Sequence, residues 1–292
     1  MPNHRAWEVA IVGGGPAGLT AGLQLARAGY RAVLLERAGL GGQARWLGRI
    51  ENYPGFPRGV DGGSLMSRWV RQARTWGLRT ARADVRAVAR TSGGFSLRLA
   101  SGRVLRACAV VYCPGAGFND LGLRGEGRFR GRGLLHAVSG SVADWRGRTV
   151  AVAGGGEAAA HQALALARQA RRVHLLCRGE RIKAHRLLLR RLRGEPRIAL
   201  MRGVEVRGLQ GGRRLQALDL SAPGGRLRLP VDALFVLVGK SAAPLPFPSR
   251  RLPPGFFVAG DASGEPFRQV VVAAGEGMKA AMRCAAFLER RA

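Results

Sequence analysis

The sequence predicts an α/β protein with two Rossmann-like dinucleotide-binding domains, each a three-layer ββα arrangement. The first observation is a strand, a glycine loop, a helix and a second strand near the N-terminus. The second is the return of the same unit with its first glycine at Gly154 instead of Gly13. The third is the length of 292 residues with 47% hydrophobic and 23% charged residues. These values are typical of a globular chain of two domains and exclude a disordered or fibrous protein.

The first unit starts with an apolar strand at residues 8–12, and a helix ending near residue 28 follows the loop. The loop itself is Gly13-Gly14-Gly15-Pro16-Ala17-Gly18. A second buried strand at residues 31–35 is closed by Glu36. In this pattern the glycines allow backbone to approach a pyrophosphate, the helix N-terminus faces the phosphates, and the acid accepts a hydrogen bond from a ribose hydroxyl. We therefore predict a dinucleotide site here.

The second unit has strands at residues 149–153 and 172–176 around a helix that ends near residue 169. Its loop is Gly154-Gly155-Gly156-Glu157-Ala158-Ala159. Cys177 stands where the first unit has Glu36, and Arg178 follows it. An acid at this place favours a free ribose 2′-hydroxyl, whereas a nearby arginine accommodates a 2′-phosphate. The second site is therefore predicted to favour NADPH over NADH. Either motif alone also occurs as an ordinary turn of an α/β fold.

The formal charge of +30 arises from 48 basic and 18 acidic residues. Three of the basic residues are lysines, which leaves 48 − 3 = 45 arginines. One interpretation is a surface for nucleic acid, acidic proteins or phosphorylated ligands, and the other is a compositional bias spread over solvated faces. The sequence has no block of five consecutive basic residues and no nucleic-acid motif. Nucleic-acid binding is therefore not predicted.

The four cysteines indicate a reduced compartment and no disulfide framework. No two of them form a Cys-x-x-Cys pair. Apolar stretches such as residues 233–238 are far shorter than the roughly 20 residues that span a bilayer. The N-terminal residues do not resemble a signal peptide. We therefore expect a cytoplasmic protein without a transmembrane helix.

Further motifs carry a family resemblance over nearly the whole chain. They are Gly41-Gly42-Gln43, the I-E-N-Y-P-G-F segment at residues 50–56, F-V-A-G-D at 257–261, Arg268-Gln269-Val270 and A-A-G-E-G at 273–277. Together with the two glycine loops, they resemble the low-molecular-weight thioredoxin reductases, which are FAD-dependent pyridine nucleotide-disulfide oxidoreductases. The combination is specific, although each short motif alone is weak.

The resemblance implies a discontinuous FAD-binding domain, residues 1–117 with 242–292, and an inserted NAD(P)H-binding domain, residues 118–241. It also implies FAD and NADPH, or NADH, as cofactors and assembly as a homodimer. Small residues at Gly115-Ala116-Gly117 and Gly239-Lys240-Ser241 would act as hinges at the two crossings, and plain turns have the same composition.

The resemblance also implies the site residues, and no metal ligand is among them. The FAD contacts would be Gly13, Gly15, Pro16, Ala17, Gly18, Glu36, Arg37, Gly42, Gln43, Asn52, Gly260, Asp261, Arg268, Gln269 and Val270. The NADP contacts would be Gly154, Gly156, Glu157, Ala158, Arg178 and Lys183. Asp261 follows an apolar strand and suits a hydrogen bond to the ribityl chain. Amides at Gln269 and Val270, which open a helix, would face the flavin edge where charge accumulates on reduction.

One departure from the family concerns the redox-active Cys-x-x-Cys between G-R-G and V-A-V. Here Gly131-Arg132-Gly133 and Val150-Ala151-Val152 lie at the same separation, so the cysteine positions fall on Ala137 and Gly140. Neither residue can attack or hold a disulfide. We therefore predict no catalytic residue at these positions and no direct thioredoxin reduction by the family mechanism.

Other departures are less decisive. His136 and Ser139 lie in the same window, and a structural role for His136 is favoured over an acid or base role. Trp46 either stacks on the flavin or belongs to the core. The family's H-R-R followed by R appears as Cys177-Arg178-Gly179 and Lys183, so the phosphate clamp is partly kept, and Arg181 is placed to compensate.

Two functions fit the sequence. The first is an FAD-dependent NAD(P)H oxidoreductase that passes electrons to an unidentified acceptor, either a ferredoxin- or flavodoxin-like carrier or a small disulfide or quinone. A basic surface suits an acidic carrier protein. The alternative is a flavin-binding protein with degenerate turnover that acts as a redox sensor or interaction partner.

Overall fold

The computed structural model describes residues 6–136, 145–247 and 252–291. The chain divides into two compact units, which we call the first unit (Met1–Ala116 with Ala242–Ala292) and the second unit (Gly117–Ser241). Gly117, which the sequence analysis placed in the FAD-binding domain, groups with the second unit. It lies inside a short strand that crosses the division.

The N-terminal part of the chain contains two helices and most of one sheet. Its elements are β1 (Trp7–Val12), α1 (Pro16–Arg27), β2 (Ala32–Glu36), β3 (Arg49–Ile50), β4 (Val60–Asp61), α2 (Gly62–Thr75), β5 (Arg79–Arg82), β6 (Val85–Thr91), β7 (Gly94–Leu99), β8 (Val104–Tyr112) and β9 (Ala116–Phe118). A short 3-10 helix lies at Gly42–Trp46.

The middle of the chain repeats the alternation of strands and helices. Its elements are β10 (Leu134–Leu135), β11 (Thr149–Ala153), α3 (Glu157–Ala167), β12 (Arg172–Cys177), α4 (Arg186–Arg193), β13 (Ile198–Arg202), β14 (Glu205–Gln210), β15 (Ala217–Ala222), β16 (Gly225–Pro230) and β17 (Ala233–Val236). The C-terminal elements are β18 (Lys240–Ala242), β19 (Phe256–Val258), a 3-10 helix at Gly260–Ser263 and α5 (Val270–Glu289).

The first unit contains a sheet in the order β5-β2-β1-β8-β7-β6, in which β19 also pairs with β8. The strands β5, β2, β1, β8 and β19 are parallel, and β6, β7 and β8 form antiparallel pairs. Residues 9–12 of β1 and 32–35 of β2 are buried on both faces, as expected for central strands of a parallel sheet.

Helices cover one face of this sheet and a second apolar layer covers the other. The helical side buries Leu19, Leu25, Leu65 and Ala281 with one face of the sheet. Small residues let α1 and α5 approach closely, because a Cβ at Gly277 would lie 2.1 Å from the Ala17 carbonyl oxygen. The opposite face packs a cluster that includes Phe95. This is the predicted three-layer arrangement.

The second unit repeats the plan with a parallel sheet in the order β10-β17-β11-β12-β13. Helices α3 and α4 contribute to the core on one face. The antiparallel strands β14-β15-β16 supply Leu218 and Leu220 to the core on the other face. The fold class predicted from the two glycine units is therefore confirmed.

Within the described residues, no helix combines the length and the apolar character needed to cross a membrane.

Candidate dinucleotide-binding sites

The glycine loop of the first unit begins at Gly13, directly after β1. The Gly13 backbone has φ +101°, a region that glycine adopts at little cost. A Cβ at this position would lie 2.1 Å from the carbonyl oxygen of Cys113. The Gly13 amide donates to the Leu35 carbonyl over 2.9 Å. The chain can therefore leave β1 this close to the end of β8 only because Gly13 has no side chain.

Helix α1 starts directly behind this loop. Gly15 is its N-cap, Pro16 is its first residue, and no side chain caps it. The first amides of a helix have no partner within the helix, and their dipoles favour an anion. Ala17 and Gly18 are in this first turn. The arrangement can therefore bind a phosphate group through backbone amides.

A second loop closes against the first. Gly42 has φ +54°, and a Cβ there would lie 2.9 Å from the Cα of Gly15. The Gly41 amide donates to the Gly14 carbonyl over 2.7 Å. Gln43 donates from Nε2 to the Ala116 carbonyl over 2.5 Å. Its Oε1 is buried and has no hydrogen-bond partner among the described residues. We take this acceptor as one that a bound molecule would satisfy, because buried polar atoms are normally paired.

Glu36 follows β2 and faces the glycine loop. Its Oε2 accepts a hydrogen bond from the Gly14 amide over 2.7 Å, and its Oε1 accepts from the amides of Ala38 at 2.8 Å and Gly39 at 3.4 Å. Each carboxylate oxygen has further acceptor capacity. Glu36 thus joins the glycine loop to the residues that follow β2. The neighbouring Arg37 is exposed.

The C-terminal part of the first unit contributes a third loop. Gly260 has φ +71°, and Asp261 follows it at partial exposure. The carboxylate of Asp261 makes no hydrogen bond to any residue that the structure describes. Glu276 on α5 accepts a hydrogen bond from the Gly260 amide over 2.6 Å. In the sequence, Glu276 is recognisable only as the acid of the A-A-G-E-G segment, and a lone acid in a run of small residues is the signal that could have identified it.

The start of α5 meets the I-E-N-Y-P-G-F segment. Gln269 is the N-cap of α5, and its side-chain oxygen accepts a hydrogen bond from Asn52 Nδ2 over 3.0 Å. No side chain caps this helix. The predicted helix start at Gln269 and Val270 is therefore correct. Arg268 precedes it at partial exposure.

These features fit an extended dinucleotide. The first unit has an uncapped helix start for phosphates, a buried unpaired acceptor on Gln43, an open carboxylate on Asp261 and a second uncapped helix at Val270. Glycines keep side chains out of the space where Gly15 and Gly42 approach each other. An FAD-sized ligand needs both backbone donors and side-chain acceptors of this kind.

The second unit has the same loop geometry. Gly154 has φ +152°, and its amide donates to the Leu176 carbonyl over 2.9 Å, as Gly13 does to Leu35. Gly156 is the N-cap of α3 and no side chain caps it. A Cβ at Gly155 would lie 2.7 Å from Cys177 Sγ. The position of Glu36 is therefore taken by a buried thiol.

The predicted phosphate clamp lies beside this loop. The Lys183 amide donates to the Gly155 carbonyl over 2.7 Å, which brings the segment after β12 back to the loop. The side chains of Arg178 and Lys183 are exposed. Glu157 Oε1 accepts a hydrogen bond from the His185 amide over 3.2 Å, so Glu157 holds this segment, while Ala158 is exposed in the first turn of α3.

His136 has partners on both ring nitrogens. Nδ1 lies 3.2 Å from the Val236 carbonyl oxygen and Nε2 lies 3.1 Å from Asp120 Oδ1. Its ring stacks on Phe118 with a centroid separation of 5.7 Å. Contacts on both sides of the ring and the stacking on Phe118 agree with a structural role for His136. Asp120 was not recognisable from the sequence, because residue spacing does not show which side chains of the segment between β9 and β10 face His136.

The core interpretation of Trp46 is wrong. Its side chain is 49% exposed, and the Arg45 guanidinium lies 4.5 Å from the ring centroid. Trp46 is the last residue of the 3-10 helix, and about half of its side chain faces the surface of the first unit. Ala137 and Gly140, where the family's redox cysteines are predicted to align, lie outside the described residues, as does Ser139.

Two of the buried cysteines, Cys113 and Cys284, have raised pKa values. Burial raises the pKa of Cys113 to about 12, and the charge of Glu276 adds to this effect. Burial likewise raises the pKa of Cys284 to about 12. The thiolate is the reactive form of cysteine. Neither residue is therefore suited to act as a nucleophile in this environment.

Comparison with known proteins extends over nearly all of the chain. Residues 7–252 match the family described as pyridine nucleotide-disulphide oxidoreductase. Thioredoxin reductase from Streptomyces coelicolor is 32% identical, over 96% of this chain and 94% of that protein. NADPH-dependent thioredoxin reductase 3 from Arabidopsis thaliana is 31% identical over 96% of this chain, which spans 58% of that protein's length. The solved structure of thioredoxin reductase from Lactococcus lactis superposes with a TM-score of 0.92 at 25% identity, covering 97% of this chain and 99% of that one.

Proposed function

Because the chain belongs to the pyridine nucleotide-disulphide oxidoreductase family, we propose that it is an FAD-dependent oxidoreductase that takes hydride from NADPH and delivers electrons to an acceptor outside its own chain. The observation that carries the last part is the absence of any Cys-x-x-Cys among the four cysteines of the sequence. A dithiol is what this type of enzyme needs in order to reduce a protein disulfide by exchange.

The first unit would hold FAD. The amides at the start of α1 would bind the pyrophosphate, Glu36 would accept from the adenosine ribose, and Asp261 would accept from the ribityl chain. The start of α5 would place positive potential at the pyrimidine edge of the flavin. The bound flavin supplies the electron-transfer chemistry, while the protein supplies binding, orientation and electrostatics.

The second unit would hold NADPH. Its uncapped α3 would bind the pyrophosphate. Cys177 replaces the acid that would select a free 2′-hydroxyl, and Arg178 and Lys183 are exposed beside the loop. Both cations would therefore bind the 2′-phosphate, and their charge supports NADPH over NADH.

The acceptor is proposed to be a small disulfide, a quinone or an acidic carrier protein. A formal charge of +30 supports the carrier, because opposite charge accelerates association and aligns partners. Assembly as a homodimer is also part of the proposal, and the family resemblance supports it.

Anaerobic titration tests the first step. The purified protein, reconstituted with FAD, should lose its visible flavin absorption on addition of one equivalent of NADPH and more slowly with NADH. A flavin that stays oxidised with both nucleotides would contradict the oxidoreductase and favour the flavin-binding sensor.

A second experiment tests the acceptor. Oxidised thioredoxin, a low-molecular-weight disulfide, a quinone and an acidic ferredoxin-type carrier should be compared at equal enzyme and NADPH concentrations. We expect turnover with at least one of the last three and background rates with thioredoxin. As a matched control, Cys108→Ser, Cys113→Ala, Cys177→Ala and Cys284→Ala should each retain this turnover. Efficient thioredoxin reduction that a single cysteine substitution abolishes would show that the chain does use its own thiols.

A further inference from the structure

Glu276 lies in the second turn of α5 and reaches back to the loop that carries Asp261. Its Oε2 accepts from the Gly260 amide at 2.6 Å and lies 3.0 Å from Ser263 Oγ. Its Oε1 lies 3.2 Å from the same hydroxyl. One carboxylate thus joins both ends of the 3-10 helix at Gly260–Ser263.

The helix that carries Glu276 is itself fixed in place. The next residue, Gly277, has no room for a Cβ, which would lie 2.1 Å from the Ala17 carbonyl oxygen. A Cβ at Gly260 would likewise lie 2.9 Å from the Ala17 Cβ. Glu276 therefore acts from a backbone that is packed against the start of α1, and it holds a loop that packs against the same residue.

Glu276 is itself partly buried. Its charge contributes to the raised pKa of the Cys113 thiol, after the larger effect of burial. The Ala259 amide donates to the Tyr112 carbonyl over 3.1 Å, so the loop that Glu276 holds begins beside the end of β8. Hydrogen bonds to a charged acceptor in such a setting are stronger than those between neutral groups.

We infer that Glu276 is a positioning residue for FAD, which holds the Gly260–Ser263 loop so that the Asp261 carboxylate points at the cofactor. The inference rests on the proposed function. The Gly260 amide donates its hydrogen bond to Glu276, so this amide is not a donor for the ligand. The Asp261 carboxylate, in contrast, has no hydrogen bond to the described protein residues and is available to a ribityl hydroxyl.

Substitutions at residue 276 can separate the effect of the hydrogen bonds from the effect of the charge. A glutamine at residue 276 can accept both bonds through one oxygen at the place of Oε2, while its amide group donates to Ser263 Oγ. An aspartate keeps the charge but is one methylene shorter and cannot span to the Gly260 amide from the same backbone. Alanine removes both the acceptor and the charge.

The test is FAD affinity, measured by fluorescence titration of the apoprotein for the wild type, E276Q, E276D and E276A. We expect E276Q to bind within about threefold of the wild type, and E276D and E276A to bind at least about tenfold more weakly. Glu289→Gln, thirteen positions further along α5, is the matched control and should not change the affinity. Visible circular dichroism of the bound flavin should differ between E276D and the wild type, although both have a carboxylate at this position.

The outcomes are separable. If E276A does not fold, the contrast between E276Q and E276D still decides the inference. E276D that binds like the wild type, or E276Q that binds as weakly as E276A, would overturn it, because charge and not loop position would then matter. A wild-type apoprotein that does not bind FAD at all would instead contradict the proposed function.

Discussion

The carboxylate of Glu36 accepts a hydrogen bond from the Gly14 amide over 2.7 Å, so the acid after the second strand is tied to the middle of the glycine loop. The other oxygen accepts from the amides of Ala38 and Gly39. In the second unit the corresponding pair is Cys177 and Gly155, where a buried thiol lies against the loop. The two units therefore have the same loop geometry and differ in the side chain that follows the second strand, a carboxylate in one and a buried thiol in the other.

This pairing predicts that Glu36→Gln weakens FAD binding. Both oxygens of Glu36 accept from backbone amides, and a glutamine has only one acceptor, so one amide would face an NH₂ group. We expect the dissociation constant of FAD to rise at least about tenfold, as measured by fluorescence titration. Glu8→Gln removes a carboxylate that bonds to the Arg31 amide in the same unit and should leave the affinity unchanged. An equally large effect of Glu8→Gln would point to general loss of stability instead.

Gly42→Ala should reduce both stability and FAD retention. The added Cβ would lie 2.9 Å from the Gly15 Cα on a backbone with φ +54°, so the two loops must separate. Such strain typically costs about 1–3 kcal/mol. Thermal unfolding and the ratio of flavin to protein after gel filtration measure the effect. Gly48→Ala is the control, because nothing lies within 4 Å of a Cβ at Gly48. Full flavin retention by Gly42→Ala would mean that the loops do not need this close approach.

Arg178→Ala and Lys183→Ala should weaken NADPH binding more than NADH binding. Only NADPH has the 2′-phosphate, and each charge-assisted hydrogen bond contributes about 1.5–3 kcal/mol. We expect the dissociation constant of NADPH to rise about tenfold or more for each variant and that of NADH to change little. Isothermal titration with both nucleotides gives the comparison.

The control for the clamp is Arg168→Ala. Arg168 is the C-cap of α3, at the end opposite the glycine loop. It should affect neither nucleotide. Equal losses for NADPH and NADH in the Arg178 and Lys183 variants would place both side chains away from the 2′-phosphate.

Thiol reactivity in the native protein should be confined to Cys108. The pKa values of Cys113 and Cys284 are raised to about 12 by burial, so the reactive thiolate is scarce near neutral pH and increases only as the pH approaches that value. Cys177 is also buried, whereas Cys108 is partly exposed. Iodoacetamide labelling followed by mass spectrometry should modify Cys108 first, and all four residues in denaturant. Native labelling of Cys113 at a comparable rate would show that its pocket opens.

Much of the backbone plan was predictable from local pattern. The strand at Thr149–Ala153 matches the expected range, and α1 and β2 end within one residue of theirs. Uninterrupted apolar runs followed by glycine loops leave little choice in a parallel α/β fold. The end of α3 at Ala167, two residues before the expected limit, is the larger difference, and Arg168 and Gln169 follow it as a turn.

Contacts between side chains were not predictable. Asn52 meets Gln269 over 217 positions, and His136 meets Asp120 within the second unit. Trp46 was expected in the core or on the flavin, and the structure leaves it half exposed with Arg45 on its ring. Composition and spacing do not encode which side chains share a surface, because that depends on how helices and loops pack.

By itself, the sequence determined the two glycine units, their order and the absence of a Cys-x-x-Cys motif, because these depend on residue type and spacing along the chain. Only the tertiary structure decided that Glu276 holds the Gly260 amide and leaves the Asp261 carboxylate open. The same holds for Gly42, whose missing side chain lets it approach Gly15. Hydrogen bonds and close approaches act through space at about 3 Å, and the chain must fold before such residues become neighbours.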